Sequence, residues 1–459
     1  MARVLLAAFD LLATFDDDRT EIAGGDVLIN DRVIEAVGVG LADQPGVLDS
    51  VDQVVDCRGL VGLPGLINAH QHLYQGAFRA VRSLERVAIG PWLAGLGSLV
   101  KARYQAGRFG ADVVGAVAAA VLTESLLGGV TTVADQHYFF PAGPSLGYVE
   151  ATIEAAAAVG VRLHACRGTL TAGPDPEVTQ SVDAVVAHCA RLIADHHDGG
   201  PGAMVRVALA PCGVHVDQPA LFSQLAALAA DHDGVGLHTH LYEKIDAAVC
   251  RERYRCTPWE FLVAHGWGQP GTWLAHVVDP PDAEIDEMAA AGVAIAHLPA
   301  PDLRMGWGRA PLRRFLDAGI TVGFGTTGSA SNDGANLLGD LRLAALVHRA
   351  GDPERWPSAR ELLAMATRGG AACLGRDDLG QLRPGAQGDV AAWDMRRVDR
   401  IGVHDPLAGL VMTGLSSNAS LVVVAGRVVV EGGVAVHIDP AAVAAAAAQA
   451  LAKPTTSGR

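Results

Sequence analysis

The chain has 459 residues, of which 50% are hydrophobic and 19% charged, a balance that excludes disorder as its overall state. Its 35 Lys and Arg residues against 50 Asp and Glu residues give a formal net charge of −15. This acidic balance argues against a nucleic-acid partner, because binding to a phosphate backbone requires a basic surface, but it leaves small neutral ligands open.

Seven cysteines are scattered along the chain without any Cys-x-x-Cys pair, which fits buried thiols in a reducing compartment better than a disulfide framework. An apolar run at residues 4–9 is too short to span a membrane, and Asp10 interrupts it. No other stretch reaches about 18 uninterrupted apolar residues. We therefore expect a cytoplasmic protein without a membrane-spanning segment.

Both ends of the chain show the alternating pattern and the turn signals of short strands. The predicted strands lie at residues 4–9, 26–29 and 33–37 near the start, and at 389–393, 421–424 and 427–430 near the end. We expect residues 1–58 and 376–459 to combine into one small β-sandwich-like domain. A terminal helix is predicted at residues 441–451.

The middle of the chain, residues 59–375, alternates between predicted strands and helices. Such alternation predicts parallel strands with right-handed crossovers, and eight repeats favour a closed barrel over an open sheet. The fold class is therefore α/β, a (β/α)8 TIM barrel. The predicted barrel strands lie at residues 60–68, 130–134, 161–165, 205–210, 235–240, 273–278, 293–298 and 320–324.

Histidines cluster at the predicted carboxyl ends of several barrel strands, which is where barrel enzymes carry their sites. Strand one ends in His70-Gln71-His72, and alternate residues of a strand face the same side. Three later strands end in His240, His276 and His297. Imidazoles suit zinc, iron, nickel or copper, and several neutral histidines around one ion favour Zn²⁺, which lowers the pKa of a bound water towards about 7. Glu243, three residues beyond His240, is the candidate general acid and base.

These motifs resemble a known family. Segment 62–72 is similar to the amidohydrolase superfamily, and the pair His240 and Glu243, Ala275-His276 and segment 297–311 resemble its cytosine- and guanine-deaminase-like branch. The likeness is closer still to the s-triazine hydrolases of the atrazine chlorohydrolase type. The resemblance implies a (β/α)8 barrel of the metal-dependent hydrolase type with a small β-domain. It also implies Glu243 as proton carrier and one Zn²⁺ per chain, with Fe²⁺ as the alternative. The ligands that it implies are His70, His72, His240 and His276.

One position departs from most of the superfamily, in which strand eight ends with a metal-binding Asp. Here the sequence is Gly325-Thr326-Thr327-Gly328, with Thr327 where that Asp would fall. Threonine is a poor proton acceptor, although a water could connect its hydroxyl to the metal site. The weaker alternative is that Asp333 replaces the missing ligand. An amine departs only after protonation, whereas chloride departs as the anion. Thr327 in place of Asp therefore favours an enzyme that displaces several kinds of leaving group, namely halide, alkoxy, thioalkyl or amine. The predicted substrate is an electron-poor, s-triazine-like N-heteroaromatic ring.

Other polar and aromatic residues near the strand ends are candidates for substrate contacts. For each of them a purely structural role is an alternative. The sequence indicates no role for His215, which follows strand four. Asp302 contacts the ring or caps its loop, and His238 either supports a ligand or faces substrate. The candidates are Gln71, Gln75, Trp92, His137, His238, His297, Asp302 and Arg304.

Two other functions stay open. The first is deamination of guanine, 8-oxoguanine or a related purine or pterin, with the same metal and Glu243. The second is an inactive barrel that acts as a binding scaffold, which would explain the lost Asp but not the retained histidines and Glu243. In each case we expect a small N-heterocyclic ligand or substrate, no nucleic acid, and a homodimer or larger homo-oligomer.

Overall fold

The structure is a computed structural model, and it describes residues 3–141, 143, 146–173, 175–413 and 418–452. The chain begins with seven short strands and one short helix. Most of the strand residues are buried or alternate between buried and exposed, which is the pattern of sheets with one covered face. These elements are β1 (Arg3–Phe9), β2 (Leu11–Ala13), β3 (Glu21–Ile22), β4 (Gly25–Asn30), β5 (Val33–Val39), α1 (Val47–Ser50), β6 (Gln53–Asp56) and β7 (Leu60–Pro64).

Eight parallel strands then form a closed barrel, because the eighth strand pairs with the first through Phe324 and Asn68. The predicted (β/α)8 barrel is thus confirmed. A ninth short strand, β16, extends the first barrel strand beyond this closure. The strands are β8 (Leu66–His72), β9 (Val130–His137), β10 (Arg162–Thr169), β11 (Val205–Pro211), β12 (Gly236–Leu241), β13 (Thr272–His276), β14 (Ala294–His297), β15 (Thr321–Phe324) and β16 (Thr327–Gly328).

Helices cover the outside of the barrel and connect its strands. Their buried faces and the outward-facing strand residues form one large apolar core. The helices are α2 (Ile89–Gln105), α3 (Ala111–Leu127), α4 (Tyr148–Val159), α5 (Val182–His196), α6 (Pro219–Ala230), α7 (Asp246–Val249), α8 (Pro258–Ala264), α9 (Asp282–Ala291), α10 (Pro299–Arg304), α11 (Leu312–Asp317), α12 (Leu337–Val347), α13 (Ala359–Ala364) and α14 (Gly370–Cys373).

Small side chains fill the interior of the barrel. Ala134, Ala208 and Ala296 pack around the large ring of Trp273, together with Cys373 of α14. Helix α14 contacts β8, β14 and β15 and fills the barrel from their amino-terminal side. This packing leaves the carboxyl ends of the strands for the polar residues.

The C-terminal part returns to the N-terminal strands. Two sheets, with orders β5-β4-β1-β6 and β20-β19-β18-β17-β7-β2-β3, share an apolar core that includes Phe9, Ile29, Val390 and Val423. The β-rich domain expected from both ends of the chain is therefore present, while its boundaries at residues 58 and 375 stay predictions. The remaining elements are β17 (Val390–Asp394), α15 (Pro406–Thr413), β18 (Leu421–Val424), β19 (Arg427–Glu431), β20 (Val434–Ala435) and α16 (Pro440–Ala452).

The structure corrects one predicted strand. Residues 60–68 were expected to form a single barrel strand, but Leu60–Pro64 pairs with Val390–Asp394 in the small domain, and the barrel strand begins at Leu66. Gly65 separates the two strands, and a Cβ there would collide with the Thr131 side chain. Both halves are fully buried, so hydrophobic periodicity could not reveal the change of sheet.

A buried ion pair joins the two parts of the molecule. The Arg162 guanidinium on β10 donates to both carboxylate oxygens of Asp389, at 2.9 and 3.0 Å, just before β17 begins. Within the described ranges, no helix is both long and apolar enough to cross a membrane.

Candidate active site

Four imidazoles converge at the carboxyl ends of the barrel strands. His70 and His72 come from β8, His240 from β12 and His276 from β13. The His240 Nε2 atom lies 3.2 Å from His70 Nε2 and 3.3 Å from His72 Nε2. Ligand atoms of His70, His240 and His276 all lie within 4.8 Å of one another, and all four side chains are buried. The structure thus brings together all four histidines that were expected to bind metal.

Backbone carbonyls determine the tautomers of two of these rings. His72 Nδ1 lies 2.7 Å from the carbonyl oxygen of Gln136, and His240 Nδ1 lies 2.6 Å from that of Cys212. A carbonyl oxygen can only accept, so each Nδ1 carries the proton. In the neutral rings, each Nε2 therefore presents a lone pair to the centre of the cluster.

The other two rings are oriented by side chains. His238 donates from Nδ1 to the Trp273 carbonyl at 2.8 Å, so its Nε2 accepts from His70 Nδ1 at 2.7 Å. His276 donates from Nδ1 to Asp302 Oδ1 at 2.6 Å. All four Nε2 atoms are thus left as acceptors, which is the arrangement in which a second layer of hydrogen bonds orients metal-binding histidines.

Burial keeps the rings of His70, His72 and His240 neutral. It lowers the pKa of His70 and of His240 well below the ordinary value, and that of His72 to about 3, with the neighbouring imidazoles acting in the same direction for His70 and His240. Two lone pairs that face each other at 3.2–3.3 Å repel unless a cation lies between them. Tetrahedral ligands at Zn–N distances of about 2.0–2.1 Å are separated by about 3.3–3.4 Å. The residues therefore fit Zn²⁺.

Glu243 lies next to this cluster, on the turn that follows β12. Its backbone N–H donates to Asp246 Oδ2 at 3.0 Å, which fixes the turn. The Oε1 atom lies 3.8 Å from His276 Nε2, and the Oε2 atom lies 3.8 Å from His215 Nε2. Burial raises the pKa of Glu243 to about 7, although His215 and His276 act in the opposite direction. Such a carboxyl group can accept and return a proton near neutral pH.

Thr327 occupies the strand-eight side of the chamber. It lies on β16, which pairs with Gln71 and His72, and its backbone is left-handed with a φ of 52°. Among the described residues that line the chamber, Glu243 carries the only carboxylate. Asp333 lies elsewhere, because it pairs with Arg304 at 2.7 Å and accepts from the backbone of Ala80.

The chamber above the histidines is narrow and largely aromatic. Its open volume is about 30 Å³, roughly that of one water molecule. The Trp307 ring meets the His276 ring edge-on, with a centroid distance of 4.7 Å. This volume is too small for a flat ring, so a ring can enter only when side chains that line the chamber move. Among the predicted substrate contacts, those that line the chamber are Gln75 and Trp92.

Two of the predicted substrate contacts instead orient rings of the histidine cluster. Asp302 and His238 hold the Nδ1 atoms of His276 and His70, as described above. Neither side chain lines the chamber, since each lies behind the ring that it orients.

The other predicted contacts lie away from the chamber. Gln71 accepts from Thr326 at 2.6 Å, and Arg304 pairs with Asp333. His297 Nε2 lies 3.0 Å from His348 Nε2, which belongs to the segment after α12. His137 packs among Tyr74, Phe140 and Tyr148 on the outside of β9, because strand alternation turns its neighbour Gln136 inward.

Several residues at the site were not predicted to have a role there, among them Tyr138, Cys212, His215 and Asp246. Tyr138 lies one residue beyond β9, and Cys212 lies one residue beyond β11, so position at a strand end was an available signal. His215 and Asp246 form a hydrogen-bonded pair at 2.9 Å, although they lie 31 residues apart in the sequence. No local sequence pattern predicts such a pair.

The fold and the site together define a metal-dependent hydrolase of the (β/α)8 barrel class. The profile of the amidohydrolase family matches residues 61–429, and the chain belongs to this family.

Individual relatives agree with this assignment. The chain is 54% identical to a crystal structure of atrazine chlorohydrolase from Arthrobacter aurescens TC1 complexed with zinc, with a TM-score of 0.95 over 98% of this chain and 100% of that one. It is 35% identical to 8-oxoguanine deaminase from Pseudomonas aeruginosa, over 96% of this chain and 97% of the relative. It is 34% identical to hydroxydechloroatrazine ethylaminohydrolase from Pseudomonas sp. strain ADP, over 97% of this chain and 95% of the relative.

Proposed function

We propose that the protein is a zinc-dependent hydrolase that displaces a leaving group from an electron-poor N-heteroaromatic ring of the s-triazine type. The observation that carries this proposal is the convergence of four imidazole Nε2 atoms beside one carboxyl group, Glu243, whose pKa is raised by burial to about 7. Zinc held by His70, His72, His240 and His276 would supply a Lewis acid that lowers the pKa of a water.

Glu243 is the proton carrier in this scheme. Its carboxylate accepts a proton from the attacking water and delivers it to a ring nitrogen, which makes the neighbouring ring carbon more electrophilic. This proton transfer is worth about 10²–10⁴ in rate. Its Oε1 atom, 3.8 Å from His276 Nε2, is close enough to the cluster to reach a water held there.

The walls of the chamber suit a flat ring. Trp92, Tyr138 and Trp307 supply aromatic faces and edges, and the Gln75 side chain supplies polar groups at the same wall. A neutral heterocycle matches this lining better than a charged ligand, because the chamber holds a single carboxylate and no Lys or Arg among its described lining residues.

The residue at position 327 bears on the leaving group. Threonine does not accept a proton at any working pH, so Glu243 is the only carboxylate that handles protons at the chamber wall. Chloride leaves as the anion and needs no proton. We therefore expect chloride, alkoxy and thioalkyl groups among the leaving groups, together with amines. The expected homodimer and the cytoplasmic location stay predictions.

A product mass spectrum tests the proposal. Zinc-loaded protein is incubated in ¹⁸O-labelled water with a chloro-triazine, an amino-triazine, guanine and 8-oxoguanine. We expect exchange of chlorine for one labelled hydroxyl group on the triazine, no conversion of the purines, and no reaction after zinc is removed with a chelator. Purine deamination together with an inert chloro-triazine would contradict the proposed substrate class.

A further inference from the structure

A second ionisable pair borders the chamber and has no part in the scheme above. His215 lies in the loop after β11, and its Nδ1 atom lies 2.9 Å from Asp246 Oδ1. The other oxygen of Asp246 accepts from the backbone of Glu243 at 3.0 Å. One buried carboxylate thus fixes both the His215 ring and the turn that carries Glu243.

The free side of the His215 ring faces the chamber. Its Nε2 atom is buried and makes no hydrogen bond to any described residue, and it lies 3.8 Å from Glu243 Oε2. Burial lowers the pKa of His215, but the hydrogen bond and charge of Asp246, together with the charges of Glu243 and Asp217, outweigh it and raise the pKa to about 9. Arg253 donates to the His215 backbone oxygen at 3.4 Å. His215 therefore presents an unused N–H at Nε2.

His215 also stands between two cavities. It lines the chamber above the histidines and an adjoining cavity of about 350 Å³, and Leu93, Tyr138 and Cys212 line both as well. The larger cavity is mostly apolar, with Leu96, Phe139, Leu170 and Val178 among its walls. A substituent that points from the chamber into this cavity passes the His215 side of the chamber.

We propose that His215 donates the proton to a departing amine, and that the adjoining cavity takes the apolar group of an N-alkylamino substituent. This inference rests on the proposed function and adds its second proton donor and its preferred substituent. It also explains how a site with Thr327 in place of a carboxylate can release amines.

The protons and electrons balance over one turnover. Water adds its oxygen to the ring carbon, and its proton passes through the Glu243 carboxylate to a ring nitrogen. The carbon–nitrogen bond then breaks with its electron pair on nitrogen, which takes the proton from His215 Nε2 and leaves as a neutral amine. The ring nitrogen gives its proton back to Glu243 as the ring regains aromaticity, and Glu243 passes it to His215 Nε2, 3.8 Å away, so both groups regain their starting state.

The test compares two substrates that differ only in the leaving group, a chloro-triazine and its ethylamino counterpart. In His215→Gln we expect the ratio of kcat/KM for amine release to kcat/KM for chloride release to fall by about 10²–10⁴, the range for one lost proton donor. Loss of the neighbouring positive charge also raises the pKa of Glu243, which changes both rates by a common factor that the ratio removes. Zinc content should stay unchanged. The control is His265→Gln, because His265 bonds to Ser223 on the outside of the barrel. Equal losses for both substrates, or no loss for the amine, would overturn the role of His215.

Two measurements need no turnover, so they separate this inference from the proposed function. Nitrogen NMR of ¹⁵N-histidine-labelled protein should show one doubly protonated buried ring near neutral pH that disappears in His215→Gln. A neutral His215 would overturn the inference even if the enzyme is active. Binding of a second zinc equivalent that is lost in His215→Gln would also overturn it, because His215, Glu243 and Asp246 would then hold an ion. A wild-type protein inert towards every ring refutes the proposed function instead.

Discussion

Asp302 offers a sharp test of the metal site, because its main polar contact is the one to His276. The Oδ1 atom accepts from His276 Nδ1 at 2.6 Å, and the Oδ2 atom has no partner among the described residues. Burial raises the pKa of Asp302, while the neighbouring His276 acts in the opposite direction. Without this carboxylate, the His276 ring loses the one group that fixes both its tautomer and its orientation.

We expect Asp302→Ala to weaken zinc binding by about 10- to 100-fold, which is the usual effect of removing such a supporting group. This corresponds to about 1.4–2.8 kcal/mol of binding free energy. Asp302→Asn keeps an acceptor oxygen without the charge, so its loss should be smaller. The affinity is measured by competition with a chromogenic zinc chelator at neutral pH.

The control is Asp333→Ala. Asp333 follows the neighbouring strand end and pairs with Arg304 at 2.7 Å, but it does not contact a metal-binding ring. We expect its zinc affinity to stay within about twofold of wild type, since it lies outside the hydrogen bonds that orient the ligands. The reasoning fails if Asp302→Ala binds zinc as tightly as wild type, or if Asp333→Ala loses as much affinity.

Glu243→Gln should lower kcat/KM by about 10²–10⁴ with unchanged zinc content, as measured by steady-state kinetics and elemental analysis. Thr327→Asp should raise amine release relative to chloride release in the same paired-substrate assay. Asp389→Ala should lower the urea unfolding free energy by about 3–5 kcal/mol, because it leaves the buried guanidinium of Arg162 unpaired. Burial lowers the pKa of His137 from 6.5 to about 3, so the unfolded chain takes up a proton at this residue more readily than the folded protein. The free energy of unfolding should therefore fall as the pH drops from 6.5 towards 3, and urea titrations should show a smaller fall in His137→Gln.

The sequence predicted the barrel well because each barrel strand carries its own local signal. Buried apolar runs such as those of β11 and β13 are bounded by turns and helices, and their order determines the topology.

Helix α2 was not predicted, because Gly90, Pro91, Gly95 and Gly97 lower the helix propensity of its sequence. Pro91 is tolerated there because it lies in the first turn, where no N–H is needed, and packing of Trp92 and Leu96 stabilises the rest.

The site residues could be predicted from the sequence where two of them lie close together in the chain. The pair His70 and His72 and the offset from His240 to Glu243 are local patterns, and the structure brings these residues together. The groups that orient the rings were not predictable in this way. Two of them are backbone carbonyls, which any residue can supply, and the bond between His276 and Asp302 spans 26 residues of sequence.

The backbone at Thr327 decides how the substitution by Asp should be interpreted. A φ of 52° is unfavourable for a β-branched residue, whereas Asp occupies this left-handed region more readily. Pairing of β16 with Gln71 and His72 holds the position in place. Thr327→Asp should therefore fold at least as stably as wild type, and a change in the ratio of amine to chloride release can be ascribed to the added carboxylate. If both rates fall in proportion to lost zinc, the new carboxylate has disturbed the ligands, and Thr327 is retained for the geometry of the metal site rather than for the leaving group.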